Sequence, residues 1–152
     1  MIIIFLDIDG VMNSETYFRS IKTNDNNFSR FNPKAILIVT KLLEEFNAQI
    51  VISSLWRFAL KKELAKELNA SGLNKYLHSD SFTPILQPGH RGNEIKLWLD
   101  KHPEISDFLI LDDDDDILSE HIPRLVKTTL AEGLHEEHYY KAREILDREK
   151  TK

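Results

Sequence analysis

The sequence predicts an α/β protein, a Rossmann-like three-layer sandwich around a mainly parallel central sheet. Short apolar runs alternate with longer segments of helical periodicity, which is the order of repeated β/α units. The run at residues 2–6 is rich in β-branched residues and does not alternate between polar and apolar, as in a central strand covered on both faces. Residues 108–111 form a second run of this kind.

Local signals mark the ends of the helices between these strands. Asn32 before Pro33 has the pattern of an N-cap followed by proline in the first turn. Gly72 fits a helix C-cap, and Pro103 closes the helix that precedes it. The predicted strands are residues 2–6, 49–52, 108–111 and 125–129, and the predicted helices are about 33–46, 59–70, 93–101 and 134–148.

Length and composition place the chain among soluble globular proteins. Its 152 residues suit one domain over residues 1–152, and 41% hydrophobic with 30% charged residues is an ordinary balance. The N-terminal apolar run ends at Asp7, which is too early for a signal peptide or a membrane span. We therefore expect a cytoplasmic protein with no membrane partner, while the oligomeric state is not predicted.

Charge and cysteine content exclude some functions. The net charge of −5 argues against a surface that coats nucleic acid generally, although it leaves room for a local basic patch. The sequence has no cysteine, which rules out disulfides, thiolate zinc sites and a cysteine nucleophile. His135 and His138 share a helical face, but no third zinc ligand accompanies them, and no other histidine is a predicted ligand.

Polar side chains follow three of the predicted strands directly. The carboxyl ends of parallel strands form one rim of a sheet, and ligands bind in the crevice there. Residues far apart in the sequence should therefore converge at this rim. They are Asp7 and Asp9 after the first strand, Ser53 and Ser54 after the second, and Asp112 and Asp113 after the third.

Asp7 and Asp9 suit a division of labour in phosphoryl transfer. The carboxylate of Asp7 can attack phosphorus and form an aspartyl-phosphate. Asp9 can protonate the leaving oxygen and later deprotonate water. An anionic nucleophile that attacks an anionic phosphate needs a cation, which Mg²⁺ held by hard oxygen ligands supplies. Asp112 and Asp113 are natural further ligands, because adjacent acids after a buried strand repel each other unless a cation lies between them.

The phosphate also needs hydrogen-bond donors and positive charge. Ser53 or Ser54 can donate to a phosphate oxygen. Arg91, just before the third predicted helix, can neutralise charge in the transition state.

Four segments in order resemble the motifs of the haloacid-dehalogenase (HAD) superfamily. They are residues 5–11 (FLDIDGV), 51–54 (VISS), 91–95 (RGNEI) and 109–113 (LILDD). With the Leu-Trp-Arg that follows Ser54 and the acidic run after residue 111, the chain is similar to the HAD domains of the Swiss Army Knife RNA-repair type. The resemblance implies a Rossmann-like fold, Mg²⁺ and an aspartyl-phosphate intermediate. It also implies metal ligands from the Asp7 carboxylate, the Asp9 main-chain carbonyl and an acid of the fourth motif.

At two places in these motifs, two residues compete for the same role. Arg91 stands where the superfamily usually has lysine, and because Lys96 lies one helical turn too late we predict Arg91 as the cation. In the second motif, alignment on Trp56 favours Ser54, whereas counting from the strand end favours Ser53. We predict Ser54.

No segment between the motifs is long enough for a folded cap domain. Residues 12–31 are polar and predict a loop or small flap, and one helix with at most one short strand accounts for residues 53–90. A capless HAD site is open and suits phosphates on large substrates. Nucleic-acid ends, which the resemblance implies, are the first candidate, ahead of nucleotides, small metabolites and phosphoproteins. The alternative of another class is a catalytically silent binding module, against which the intact aspartates argue.

Several neighbours of the motifs have more than one interpretation. Trp56 is predicted to pack, with a substrate platform as the alternative, and Asp116 is a candidate for an outer metal ligand. Arg57 with Lys61 and Lys62 forms a basic group that could contact a polyanionic substrate.

Overall fold

The computed structural model describes residues 1–21 and 28–150, and it has the predicted α/β architecture. A five-stranded sheet runs in the order β3-β2-β1-β4-β5, and every pair of neighbouring strands is parallel. The strands are β1 (Ile2–Leu6), β2 (Ala48–Ile52), β3 (Leu77–Phe82), β4 (Asp107–Asp112) and β5 (Leu125–Lys127).

Six α-helices connect and cover these strands in the described residues. Two 3₁₀ turns, Leu73–Tyr76 and Ser119–Arg124, precede β3 and β5. The helices are α1 (Glu15–Ser20), α2 (Pro33–Phe46), α3 (Trp56–Ala59), α4 (Lys61–Ser71), α5 (Arg91–Asp100) and α6 (Glu136–Lys150).

Strand β1 is buried on both faces, as its lack of alternation predicts. Ile4 belongs to the larger apolar cluster on one side of the sheet, whereas Ile3 and Phe5 belong to the cluster on the other side. Trp98 of α5 packs edge-on against Phe5 at a ring separation of 5.4 Å, which confirms its predicted core position. This two-sided burial fixes β1 in the sheet and makes its C-terminal end a rigid platform for the residues that follow.

The structure differs from the prediction in two elements. The short helix α1 begins where a loop or flap was expected, since Ser14 caps it by accepting a hydrogen bond from the Tyr17 amide at 3.0 Å. The helix predicted at 59–70 is two helices, with a break at Leu60. The one short strand allowed for between residues 53 and 90 is β3, whose bounds the sequence did not predict. The polar residues 24–27 of the predicted flap lie outside the described residues.

The described segments between β1 and α2 and between β2 and α5 contain no folded unit beyond α1, α3, α4, a 3₁₀ turn and β3. The capless form is therefore confirmed for the part of the chain that the structure describes. None of the helices in that part is long and apolar enough to cross a membrane.

Candidate active site

The register of the three central strands brings the predicted residues to one rim. Leu6 pairs with Ile52 on one side and with Leu111 on the other. The ladder continues one step further, because the Asp7 amide donates to Leu111 O at 3.1 Å and the Ser53 amide donates to Leu6 O at 3.1 Å. Asp7 therefore lies between Ser53, which directly follows β2, and Asp112, which is the last residue of β4.

Three carboxylates meet at this rim. One oxygen each of Asp7, Asp112 and Asp113 lies within 4.8 Å of the other two. Asp112 is fully buried and Asp7 is 5% exposed, so water screens their repulsion weakly. Burial first, and then the charge of Asp112, raises the pKa of Asp7 to about 8. A set of hard oxygen ligands with excess negative charge fits Mg²⁺, so the donors present match the cation that the resemblance implies.

Arg91, the first residue of α5, faces two of these acids. Its Nη1 lies 3.3 Å from Asp7 Oδ1 and also pairs with the carboxylate of Asp112. Burial alone would lower the pKa of the Arg91 guanidinium, but Asp7 and Asp112 together raise it. Lys96 instead pairs with Asp100 on the exposed face of α5 at 3.0 Å. The structure thus places Arg91, and not Lys96, at the rim.

Asp9 is held on both of its carboxylate oxygens. Asn13 Nδ2 donates to Oδ1 at 3.0 Å, and the indole Nε1 of Trp56 donates to Oδ2 at 3.0 Å. Asn13 also accepts a hydrogen bond from the Gly10 amide, so one side chain ties the carboxylate to the turn that carries it. Trp56 is 5% exposed, which excludes a substrate platform, and its role goes beyond packing because it fixes the direction of Asp9.

Gly10 is required by the closeness of the two aspartate loops. Its φ is +80°, and a Cβ at this position would lie 2.6 Å from Asp113 Oδ2. The Thr128 hydroxyl donates to Gly10 O, and the Thr128 amide donates to Asp112 O at 3.0 Å. Residues that follow β1, β4 and β5 are therefore locked together beneath the carboxylates.

The two serines of the second motif have different surroundings. Ser53 Oγ is buried and has no hydrogen-bond partner among the described residues. Ser54 Oγ accepts a hydrogen bond from the Trp56 amide at 3.2 Å and so closes a turn. A buried hydroxyl without a partner loses the hydrogen bond that water would give it. Register and pairing thus favour Ser53 for the phosphate contact, against the Ser54 that alignment on Trp56 predicts.

Arg57 is not available to a substrate, contrary to the interpretation of the basic group. Its side chain is 1% exposed and pairs with Glu94 Oε2 of α5 at 2.7 Å. The guanidinium also donates to the carbonyls of Ser53 and Ser54 at 3.1 and 2.8 Å. It therefore ties the second motif to α5 and to the segment after β3, where the carbonyls of Thr83 and Pro84 accept from it at 3.0 and 3.1 Å.

Glu94, which no sequence pattern marks as functional, completes this buried ion pair. Its Oε1 accepts a hydrogen bond from the Leu86 amide at 3.2 Å. Removing one partner of such a pair leaves an uncompensated buried charge, which typically costs about 3–5 kcal/mol. The pair therefore fixes the distance between the serine turn and the helix that carries Arg91.

The later acids of the 112–116 run have separate positions. Asp116 Oδ2 accepts a hydrogen bond from the Arg91 amide at 3.2 Å, so this residue caps α5 and joins it to the loop after β4. It is not part of the group of three carboxylates. Asp114 and Asp115 are exposed, in agreement with the expectation of a solvated loop.

A parallel sheet in this order, with paired aspartates after its central strand and a second acidic turn beside it, defines a HAD-like α/β domain. The chain belongs to the family described as the HAD domain in Swiss Army Knife RNA repair proteins, whose model matches residues 3–139. The match begins within β1, includes the other four strands of the sheet and extends into α6. Searches among curated proteins and among solved structures gave no significant match.

Proposed function

We propose that the chain is a Mg²⁺-dependent phosphomonoester hydrolase that works through an aspartyl-phosphate on Asp7. One observation carries the proposal. The buried Asp7 carboxylate lies between Ser53 and Asp112 and faces the Arg91 guanidinium. A phosphate approaching this carboxylate meets a nucleophile, an unpaired hydroxyl and a fixed cation at the same rim.

In the first step, a carboxylate oxygen of Asp7 attacks phosphorus and the bond to the ester oxygen breaks. Asp9 gives a proton to that leaving oxygen as the alcohol departs. In the second step, Asp9 takes a proton from water, whose oxygen attacks phosphorus. The acyl-phosphate bond breaks, and inorganic phosphate and the Asp7 carboxylate are restored. Ser53 is assigned to donate to a phosphate oxygen, and Arg91 is assigned to balance the charge of the transferring group.

The residues assigned to Mg²⁺ are the carboxylates of Asp7, Asp112 and Asp113 with the main-chain carbonyl of Asp9. When bound, the cation screens the nucleophile from the phosphate and stabilises charge on the transferring oxygens.

Millimolar Mg²⁺ is expected to raise the melting temperature of the protein. A ligand at about 100 times its Kd stabilises the folded state by ~2.7 kcal/mol, and here the cation also relieves repulsion among buried acids. Asp113→Ala is expected to abolish the shift, whereas Asp115→Asn, an exposed neighbour, should retain it. The measurement is thermal melting with and without Mg²⁺. A shift that survives in Asp113→Ala would remove Asp113 from the assigned ligands and leave the carboxylates of Asp7 and Asp112.

The substrate that we propose is a terminal phosphate of RNA or DNA. The open rim admits a large substrate, and the family to which the chain belongs is described from RNA repair proteins. The short helix α3 follows the turn at Ser53 and Ser54, and its residue Phe58 is 45% exposed. Lys61 and Lys62 are exposed at the start of α4. The N-terminus of α4 carries the positive end of the helix dipole, which disfavours the two lysine charges. A polyanion bound there would offset this positive charge.

The positions of Phe58 and Lys61 lead to a prediction that separates binding of the oligonucleotide from hydrolysis of its terminal phosphate. Phe58→Ala is expected to lower kcat/KM for a phosphorylated oligonucleotide about tenfold, because a base stacked on an aromatic ring contributes ~1–3 kcal/mol. Hydrolysis of a small aryl phosphate should be unchanged. Lys61→Ala should reduce the salt dependence of oligonucleotide turnover, since each phosphate contact contributes to that slope.

The measurement compares phosphate release from 5′- and 3′-phosphorylated oligonucleotides, mononucleotides, sugar phosphates and a phosphopeptide at two salt concentrations. Tyr140→Ala, which removes an exposed aromatic ring from α6, is the matched control. The net charge of −5 opposes nucleic-acid binding, so a real preference requires the basic residues to act locally. Equal rates on oligonucleotides and mononucleotides at both salt concentrations would assign the enzyme to small phosphates instead.

A further inference from the structure

A second group of ligating side chains lies between β3 and the chain segment after α5. One ring nitrogen of His78, one ring nitrogen of His102 and one carboxylate oxygen of Glu104 lie within 4.8 Å of one another. His78 is on β3, and His102 follows the end of α5. Since α5 has ten residues, it separates this group from Arg91 by roughly 15 Å at 1.5 Å per residue. The group is therefore outside the candidate active site.

His102 is oriented as a metal-binding histidine is. Its Nδ1 lies 2.9 Å from Glu104 Oε1, and its Nε2 lies 2.8 Å from Asp80 Oδ2. Histidine ligands in proteins usually donate their second ring N–H to a carboxylate, which fixes the ring and raises its basicity. With Nδ1 and Glu104 on the ion, Asp80 would be that carboxylate.

His78 can offer the lone pair of Nε2 if Nδ1 exchanges the hydrogen bond that it accepts from the Asp80 amide for one that it donates to the Asp80 carbonyl. Its Nδ1 lies 3.0 Å from the Asp80 amide nitrogen and 3.3 Å from the Asp80 carbonyl oxygen. In the tautomer with a proton on Nδ1, the ring donates to that carbonyl and leaves Nε2 free for a metal. Either tautomer of His78 therefore keeps a partner at the backbone of Asp80.

Aromatic packing holds the two imidazoles in place. The His102 ring stacks on Trp98 with centroids 4.0 Å apart and an interplanar angle of 26°. The His78 ring stands edge-on to both, at 5.1 Å from each. Trp98 is itself fixed, because its Nε1 donates to Asp80 O at 3.1 Å. Ligands that are already ordered lose less conformational entropy on binding.

We propose that His78, His102 and Glu104 bind a Zn²⁺ ion. Two imidazole nitrogens and one carboxylate oxygen, with a fourth position left to water, are a ligand set that Zn²⁺ takes in proteins. Mg²⁺ is a poor occupant, because it prefers oxygen ligands. The ion ties the edge strand β3 to the far end of the helix that begins with Arg91, and so stabilises the fold from outside the active site.

The test is a calorimetric titration of the whole chain with Zn²⁺ in millimolar Mg²⁺, so that the carboxylates at the rim are occupied by the competing cation. Visible absorption of Co²⁺ as a probe reports the ligand geometry. The wild type is expected to bind one equivalent and to melt at a higher temperature with Zn²⁺. His102→Gln and Glu104→Gln should each weaken binding at least about tenfold. Glu104 is exposed, so its variant keeps the fold.

The matched control is His135→Gln, which alters the other histidine pair. His135 and His138 lie on a different part of the surface, with ring centroids 6.2 Å apart. The control is expected to bind Zn²⁺ as the wild type does. The proposal is overturned if the wild type binds no Zn²⁺ in the presence of Mg²⁺. It is equally overturned if Glu104→Gln and His102→Gln retain wild-type affinity, or if His135→Gln loses binding.

Discussion

Asp7→Asn is expected to abolish phosphate release, with a loss on the order of 10⁴-fold or more, as for other enzymes that lose their nucleophile. The amide has the shape of the carboxylate but is a poor nucleophile towards phosphorus. Asp112 keeps its pairing with Arg91 in the variant, so the rim should stay folded. Asp115→Asn, an exposed acid of the same region that faces Lys127 at 3.4 Å, should retain full activity.

The measurement is phosphate release in Mg²⁺, with melting temperatures to show that both variants are folded. A crystal of the wild type soaked with beryllium fluoride should carry the adduct within bonding distance of the Asp7 carboxylate. Wild-type activity in Asp7→Asn would refute the assignment of the nucleophile. A folded wild type that releases no phosphate from any of the substrates above and forms no adduct would establish the catalytically silent module instead.

The fold and the position of the rim followed from the sequence because both depend on burial. A strand covered on two faces must be apolar throughout, and this makes β1 and β4 visible as unbroken runs. Once the sheet is parallel, the residues after its strands have to meet at one edge. The structure places Asp7, Asp112 and Asp113 together for this reason.

The elements that the prediction missed lack such a signal. Strand β3 has the sequence LHSDSF, which is mostly polar because the strand lies at the sheet edge. The ion pair of Arg57 with Glu94 joins residues 37 positions apart, and charged residues of this kind are exposed far more often than buried. The sequence therefore suggested a substrate contact for Arg57, whereas the structure buries it beneath the serine turn.

For the two serines, the local sequence pattern and the strand register favour different residues. Alignment on Trp56 favours Ser54, which lies two residues past the end of β2. Strand register is set by the neighbours, and the pairing of Leu6 with Ile52 puts Ser53 beside Asp7. A shift of one residue reverses the direction of a side chain in a strand, so register decides which hydroxyl can reach the phosphate.

Asp9→Asn is expected to affect the two chemical steps differently. With an alkyl phosphate such as a nucleotide, loss of the general acid should lower kcat by about 10²–10⁴-fold. An aryl phosphate with a good leaving group needs little protonation, so its first step should remain fast. The second step still lacks its general base, and the aspartyl-phosphate should accumulate. We therefore expect a burst of phenol equal to the enzyme concentration, followed by slow turnover.

Trp56→Phe is the control that separates the carboxylate from its orientation. It keeps an aromatic ring, though a smaller one, and Asp9 itself, but removes the N–H that holds Oδ2 at 3.0 Å. Asn13 still holds Oδ1, so the carboxylate should remain near its position with more freedom. The expected result is a loss in kcat smaller than that of Asp9→Asn, with KM unchanged, and a larger loss on the alkyl than on the aryl substrate. Stopped-flow and steady-state kinetics on both substrates measure this.

If Asp9→Asn turned over the alkyl phosphate at the wild-type rate, or if it showed no burst with the aryl phosphate, proton transfer would have to be assigned to another group. In that case the hydrogen bond from Trp56 would serve only to close the turn after β1.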